Sequence, residues 1–184
     1  LAYAVPSFGE WSGNPTTNTP ICIAPDIQDL PQLVSDGSSG AIITWLDWRN
    51  GPGDIYAQRI GANGFVQWTA DGVSVCGAAS TQNRPMIVAD LSGGAIIVWE
   101  DLRNGSTNDI YAQRINSNGV AQWATNGIPV CTATAEQSRP MIATDGAGGA
   151  IITWYDRRTS GQFDIYAQRI NANGVVQWAT NGIP

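Results

Sequence analysis

The sequence of 184 residues contains no histidine and no lysine, and its nine cationic side chains are all arginine. Without histidine there is no His-based catalytic triad, no imidazole general base and no His-ligated zinc. Charge is sparse: only 13% of residues are Asp, Glu, Lys or Arg, and nine cations against fifteen anions leave a net charge of -6. An acidic chain without lysine is poorly equipped to track a phosphate backbone, so nucleic acid is not an expected partner. No apolar run approaches the roughly 20 residues of a membrane-spanning helix, and membrane insertion is not expected. Glutamate is scarce, and no segment joins a capping residue to a sustained helical period. Glycine and tryptophan are abundant instead, at 21 and 8 residues. That bias points to turns and strands.

What fills the chain is a repeat. The heptapeptide Asp54–Ile60 returns unchanged at Asp109–Ile115 and Asp164–Ile170, at intervals of 55 residues. Cys22, Cys76 and Cys131 keep the same step within one residue, as do Pro31, Pro85 and Pro140, and Trp45, Trp99 and Trp154. The chain therefore divides into a lead-in segment with an extra strand (1–21) and three copies (22–75, 76–130 and 131–184). The lead-in includes Phe8–Trp11, which reads as an outer strand without the three that should precede it. The phrase Asn181–Pro184 elsewhere continues into Val130–Cys131, so the sequence reads as cut there.

Each copy reads as four short strands. In the second these are Pro85–Asp90, Ala95–Asp101, Asp109–Ile115 and Val120–Trp123, separated by Gly93-Gly94, a polar loop and Asn116–Gly119. The Gly-Gly and Asn-Gly pairs supply the positive φ of tight turns. Ala95–Trp99 and its equivalents Ala41–Trp45 and Ala150–Trp154 are continuously apolar, and a strand of that kind is covered on both faces. The expected fold is all-β, a β-propeller-type array of four-stranded antiparallel blades that cover one another. A β-trefoil or a β-prism of three four-stranded repeats is the alternative. Propellers have 4–8 blades, so three copies call for further blades or a second copy of the chain.

The phrases Gly-Gly-Ala-Ile-Ile-x-Trp-x-Asp-x-Arg, Asp-Ile-Tyr-Ala-Gln-Arg-Ile and Asn-Gly-x-x-Gln-Trp resemble the repeats of secreted bacterial β-propeller-like proteins. Their strand order is similar to NHL-type and sialidase-type blades. The turn Asn116–Gly119 departs from the sialidase-type Asp box by placing its glycine one residue early, which argues against sialidase chemistry. The resemblance implies a secreted or cell-surface location and a non-catalytic module for glycan or surface-protein binding or for assembly. Its alternatives are a non-catalytic part of a larger glycan-processing enzyme and a purely structural, self-assembling repeat.

The conspicuous polar set is Trp-x-Asp-x-Arg: Trp45, Asp47 and Arg49; Trp99, Asp101 and Arg103; Trp154, Asp156 and Arg158. As a ligand site, the indole would stack on a sugar face while Asp and Arg bind hydroxyls. As a structural brace, Asp and Arg would pair across strands. Recurrence in every copy favours the brace. Each set also places a second carboxylate seven or eight residues on, across a hairpin. Asp101, Asn104 and Asp109 offer hard oxygens, making them the candidate ligands should Ca²⁺ bind, although EF-hand spacing is absent and no cofactor is expected. The three cysteines read as small buried apolar groups, too far apart for disulfides. No residue pair is singled out for catalysis.

Overall fold

The computed structural model describes residues 18–159 and 161–184. The strand expected at Phe8–Trp11 lies outside the described residues. Within them the chain is all-β, with no helix. The first sheet holds β1 (Gln28–Ser35), β2 (Ala41–Asp47), β3 (Asp54–Ile60) and β4 (Val73–Cys76). A middle sheet holds β5 (Gln82–Ala89), β6 (Ala95–Asp101), β7 (Asp109–Ile115) and β8 (Ile128–Cys131). The last sheet holds β9 (Gln137–Thr144), β10 (Ala150–Asp156) and β11 (Asp164–Ile170). All neighbours are antiparallel and follow chain order, so each sheet is a simple meander.

The second and third strands of each sheet form a regular hairpin. Asp47 stands opposite Asp54, Asp101 opposite Asp109 and Asp156 opposite Asp164, so the two expected carboxylates do face each other. The fourth strand differs from expectation. Of the segment read as an outer strand, only Ala121 bridges the sheet, to Ile115, whereas Ile128–Cys131 pairs with β7. Trp123 turns away, and its indole N–H donates to the Ala172 carbonyl of the last sheet at 3.2 Å. The chain regains the sheet through Asn126 and Gly127, both at positive φ. A side chain at Gly127 would also strike the Trp99 ring, with a Cβ only 2.5 Å from it. Pro129 has no N–H to donate, which an outer strand tolerates.

The first strand of each sheet carries a bulge at Leu30, Arg84 or Arg139, all at positive φ. In the first two sheets the preceding side chain stabilises it: Asp29 accepts the Leu30 N–H at 2.7 Å, and Asn83 accepts the Arg84 N–H at 2.8 Å.

The sheets stack face to face in chain order. Between first and middle sheets, Ile42, Ile55, Ala57, Val75 and Cys76 meet Ala95, Ile97, Trp99 and Ile115. The same arrangement recurs one step later, where Ile96, Val98, Ile110, Ala112, Val130 and Cys131 meet Ala150, Ile152, Trp154 and Ile170. Every residue of β6 is buried, as its unbroken apolar run implied. The ends of the stack are more open: β10 alternates and β11 begins with two exposed residues.

Candidate functional site

Each Trp-x-Asp-x-Arg set closes a clasp at the β2–β3, β6–β7 or β10–β11 loop. The carboxylate is its centre. Asp101 accepts the Trp99 indole N–H at 2.7 Å, the Arg103 backbone N–H at 2.9 Å, and Arg103 Nε and Nη2 at 2.8 and 2.6 Å. Asp47 and Asp156 accept the same four donors. The pair thus closes locally, over two residues, rather than across strands. What crosses the sheet is the far end of the guanidinium: Arg49, Arg103 and Arg158 donate to the carbonyls of Asp71, Asn126 and Asn181, each at 2.8 Å. The guanidinium also lies over the tyrosine of the next strand, with Arg103 3.8 Å from the Tyr111 ring centre. Fork-shaped, charge-assisted bonding of this kind fixes geometry as well as energy.

The cysteines belong to this clasp. Cys76 ends β4 but lies against the middle sheet's set, where Arg103 Nη2 donates to its sulfur at 3.4 Å. Cys131 receives Arg158 in the same way at 3.0 Å, and Cys22 receives Arg49 at 3.1 Å. Cys76 and Cys131 are therefore polar acceptors between sheets as well as small buried groups, whereas Cys22 is half-buried and lies in no strand. Among the described residues all three are free thiols, and burial pushes Cys76 up to about 12 and Cys131 up to about 11. Neither is a thiolate nucleophile at neutral pH.

These contacts decide what the nine expected site residues can do. Trp45, Trp99 and Trp154 are at most 3% exposed, and Asp47, Asp101 and Asp156 are fully buried. None of these three indole faces is open for a sugar to stack on. Only the arginines reach solvent, with side chains 16–23% exposed. Burial raises the Asp47 and Asp156 carboxyls, but the hydrogen bonds from Arg and Trp outweigh it and hold both below the usual carboxylate range.

Asp109 and Asp54, on the facing strands, behave in the reverse sense. Burial, reinforced by the Asp101 charge, lifts Asp109 to about 6. Burial likewise raises Asp54. Of the three Ca²⁺ candidates, Asp101 is committed to the clasp, while the Asn104 amide donates to Asp109 at 2.9 Å. Asn104 also uses its carbonyl oxygen on the Ser106 N–H at 3.0 Å. No group of three or more metal-ligating side chains converges among the described residues.

A second repeated pair sits at the other end of the sheets. Asp36, Asp90 and Asp145 each accept two backbone N–H groups of the glycine-rich turn, and Arg59, Arg114 and Arg169 pair with them across the sheet. Arg59 and Arg114 then reach the next sheet, donating to the Ser117 and Ala172 carbonyls at 3.2 and 3.0 Å. The Arg in Asp-Ile-Tyr-Ala-Gln-Arg-Ile and the Asp five residues after each repeated Pro were the available sequence signals.

The copies differ at a place between the middle and last sheets, where Leu46, Glu100 and Tyr155 occupy equivalent positions. A recess of about 430 Å³ is lined by Arg84, Glu100, Glu136, Arg139, Tyr155 and Phe163, among others. Glu100 occupies the position of Leu46 and Tyr155, and burial raises its carboxyl. Its function is readable in part: Ser138 stands where Asp29 and Asn83 stabilise their bulges, and Glu100 accepts the Arg139 N–H from the neighbouring sheet at 2.7 Å. Tyr155 and Phe163 pack against each other at 5.7 Å, and Arg157 lies 4.5 Å from the Phe163 ring centre. No protein-family model and no curated protein matches the sequence.

Proposed function

We propose that the chain is a non-catalytic β-propeller-type repeat module of a secreted or cell-surface protein, working by binding and assembly. The observation that carries this reading is the use made of the repeated polar set. In each copy Trp, Asp and Arg are spent on one another, on a turn carbonyl and on a cysteine from the preceding segment. Groups consumed in this way serve the scaffold, whereas catalysis needs convergent groups open to a substrate. The stack favours blades over a trefoil or prism. Each sheet lies flat on the next in chain order, and the first strands β1, β5 and β9 adjoin directly, as inner strands do around an axis.

A second reading, contact with a glycan or other small ligand, is favoured by the recess at Arg84, Glu100 and Tyr155. There the loops differ from copy to copy, and Tyr155 and Phe163 are exposed beside arginines. The test is to measure turnover and binding on one glycan panel with the 184-residue chain. The module reading expects no turnover. Any glycan binding should fall about tenfold with Tyr155→Ala and Phe163→Ala together, while the melting temperature holds. Reproducible turnover would overturn the non-catalytic reading.

A further inference from the structure

The two ends of the stack are the two halves of an interface that the chain already makes twice. At each internal junction the third strand, Ile55 or Ile110, is paired with a cysteine of the fourth, Cys76 or Cys131. The cysteine in turn meets the clasp of the next sheet. In the last sheet the equivalent Ile165 pairs with Tyr155 of β10 but has no outer partner among the described residues; outer pairing there is two isolated bridges, Ala167 to Ile183 and Ile170 to Val176. Ile165 is 58% exposed, whereas Ile55 and Ile110 are fully buried.

Cys22 is the other half. It receives Arg49 and faces Asp47, as Cys76 and Cys131 do with their clasps, yet it lies in no strand. The next residue repeats the agreement. The Ile23 N–H donates to the Asp71 side chain at 2.8 Å, as Gly77 does to Asn126 and Thr132 does to Asn181, at 3.1 and 3.0 Å. Cys22 thus sits where the end of a preceding sheet's fourth strand would sit, and Ile165 waits for such a residue.

Other groups agree with this pairing. Trp68 and Trp123 donate their indole N–H to the Ser117 and Ala172 carbonyls of the next sheet, while Trp178 makes no such bond among the described residues. Arg59 and Arg114 reach carbonyls of the next sheet, whereas Arg169 bonds only Asp145 among the described residues, and its side chain is 39% exposed against 21% and 19% for Arg59 and Arg114. Among the described residues no indole donates to the equivalent turn of the first sheet, Gly61–Gly64. The sheet faces match in kind as well. Ile151, Thr153, Ile165 and Ala167 stand where Ile42, Thr44, Ile55 and Ala57 stand, and Ala41, Ile43, Trp45 and Ile60 where Ala95, Ile97, Trp99 and Ile115 stand.

We propose that a second copy of this chain docks its first sheet onto the last sheet, with its Ile21–Cys22 segment adding to the β11 edge beside Ile165. The contact is heterologous, so it closes a ring if the rotation allows and otherwise grows a filament. This names the partner for the assembly role proposed above and rests on that reading.

Sedimentation velocity of the 184-residue chain, from dilute to concentrated, should show association. Ile165→Arg should weaken it roughly tenfold or more, since an apolar contact is replaced by a charge. Val120→Arg, at an exposed turn of the middle sheet, should leave it unchanged. Register is tested by Ile165→Cys with an added oxidant. Opposed residues in an antiparallel pair lie within disulfide reach. An interchain disulfide joining residue 165 to Cys22, lost in Cys22→Ser, supports the proposal. A monomer at every concentration, association indifferent to Ile165→Arg, or a crosslink that survives Cys22→Ser overturns it. The propeller reading fails separately: electron microscopy of the associated chain showing open filaments would retain the docking and remove the closed ring, whereas a monomer would remove only the docking.

Discussion

The heptapeptide Asp-Ile-Tyr-Ala-Gln-Arg-Ile occupies β7 and β11 in two different surroundings. In β7 five of its seven residues are buried and the other two are half-buried. In β11 the first two residues are exposed and only Gln168 and the closing Ile170 are buried. Both copies make the same register with the strand before them, from Asp101↔Asp109 to Ala95↔Ile115 and from Asp156↔Asp164 to Ala150↔Ile170. Local sequence and turns therefore determine the strand and its pairing. What determines burial is whether another sheet lies on top, which the heptapeptide itself cannot encode. Repeat proteins share this property, because a unit cannot cover its own face.

The largest expected effect comes from breaking the clasp where sheets lie on both sides. Asp101→Ala leaves the buried Trp99 N–H without an acceptor and the half-buried Arg103 guanidinium without its carboxylate, and should destabilise the chain by about 3–5 kcal/mol in denaturant titrations. Next comes the contrast between the two isoleucines. Ile110→Ala opens a cavity between sheets and should remove about 2–5 kcal/mol. Ile165→Ala, measured in dilute solution, should stay within about 0.5–1 kcal/mol of the parent. Equal losses at the two positions would contradict the open face.

A smaller effect separates the paired carboxylates by pH. The folded-state value of Asp109, about 6, lies above its ordinary 3.8, so the folded chain binds the extra proton between them. Stability from this group is greatest below pH ~4 and declines as pH rises towards 6. Asp109→Asn should therefore stabilise by about 1–2 kcal/mol at pH 7 and by nearly nothing at pH 4. Asp47 and Asp156 run the opposite way. Their folded-state values are lowered, so their contribution is complete above the usual carboxylate range and disappears as pH falls through the folded values. Asp164 is exposed, and as a surface substitution Asp164→Asn is expected to stay within about 0.5 kcal/mol of the parent.

The hairpins were legible because turn glycines and the continuously apolar second strand leave little choice of register. The fourth strand was not. Val120–Trp123 carries a valine and an aromatic and looks like a strand, but its indole bonds the next sheet. The true strand, Ile128–Cys131, is four residues long and contains Pro129. The Trp-x-Asp-x-Arg spacing marked the residues that form the clasp, although the pairing expected across strands closes over two residues instead. Its local closure at Asp101 and its link to Cys76 were hidden because the cysteine comes from the preceding sheet, 25 residues from that carboxylate. The replacement of Asn83 by Ser138, compensated by Glu100 from the neighbouring sheet, is invisible in one strand's pattern for the same reason.

The most direct measurement is amide hydrogen exchange by NMR on the intact 184-residue chain at two concentrations, comparing Ile110 with Ile165. The Ala167 N–H bonds outward to Ile183, so by strand alternation the Ile165 N–H points to the same outer edge. The account expects Ile110 to be protected at both concentrations, and Ile165 to exchange rapidly when dilute and slowly when concentrated. Equal protection of the two in dilute solution, or rapid exchange at Ile165 throughout, would contradict it.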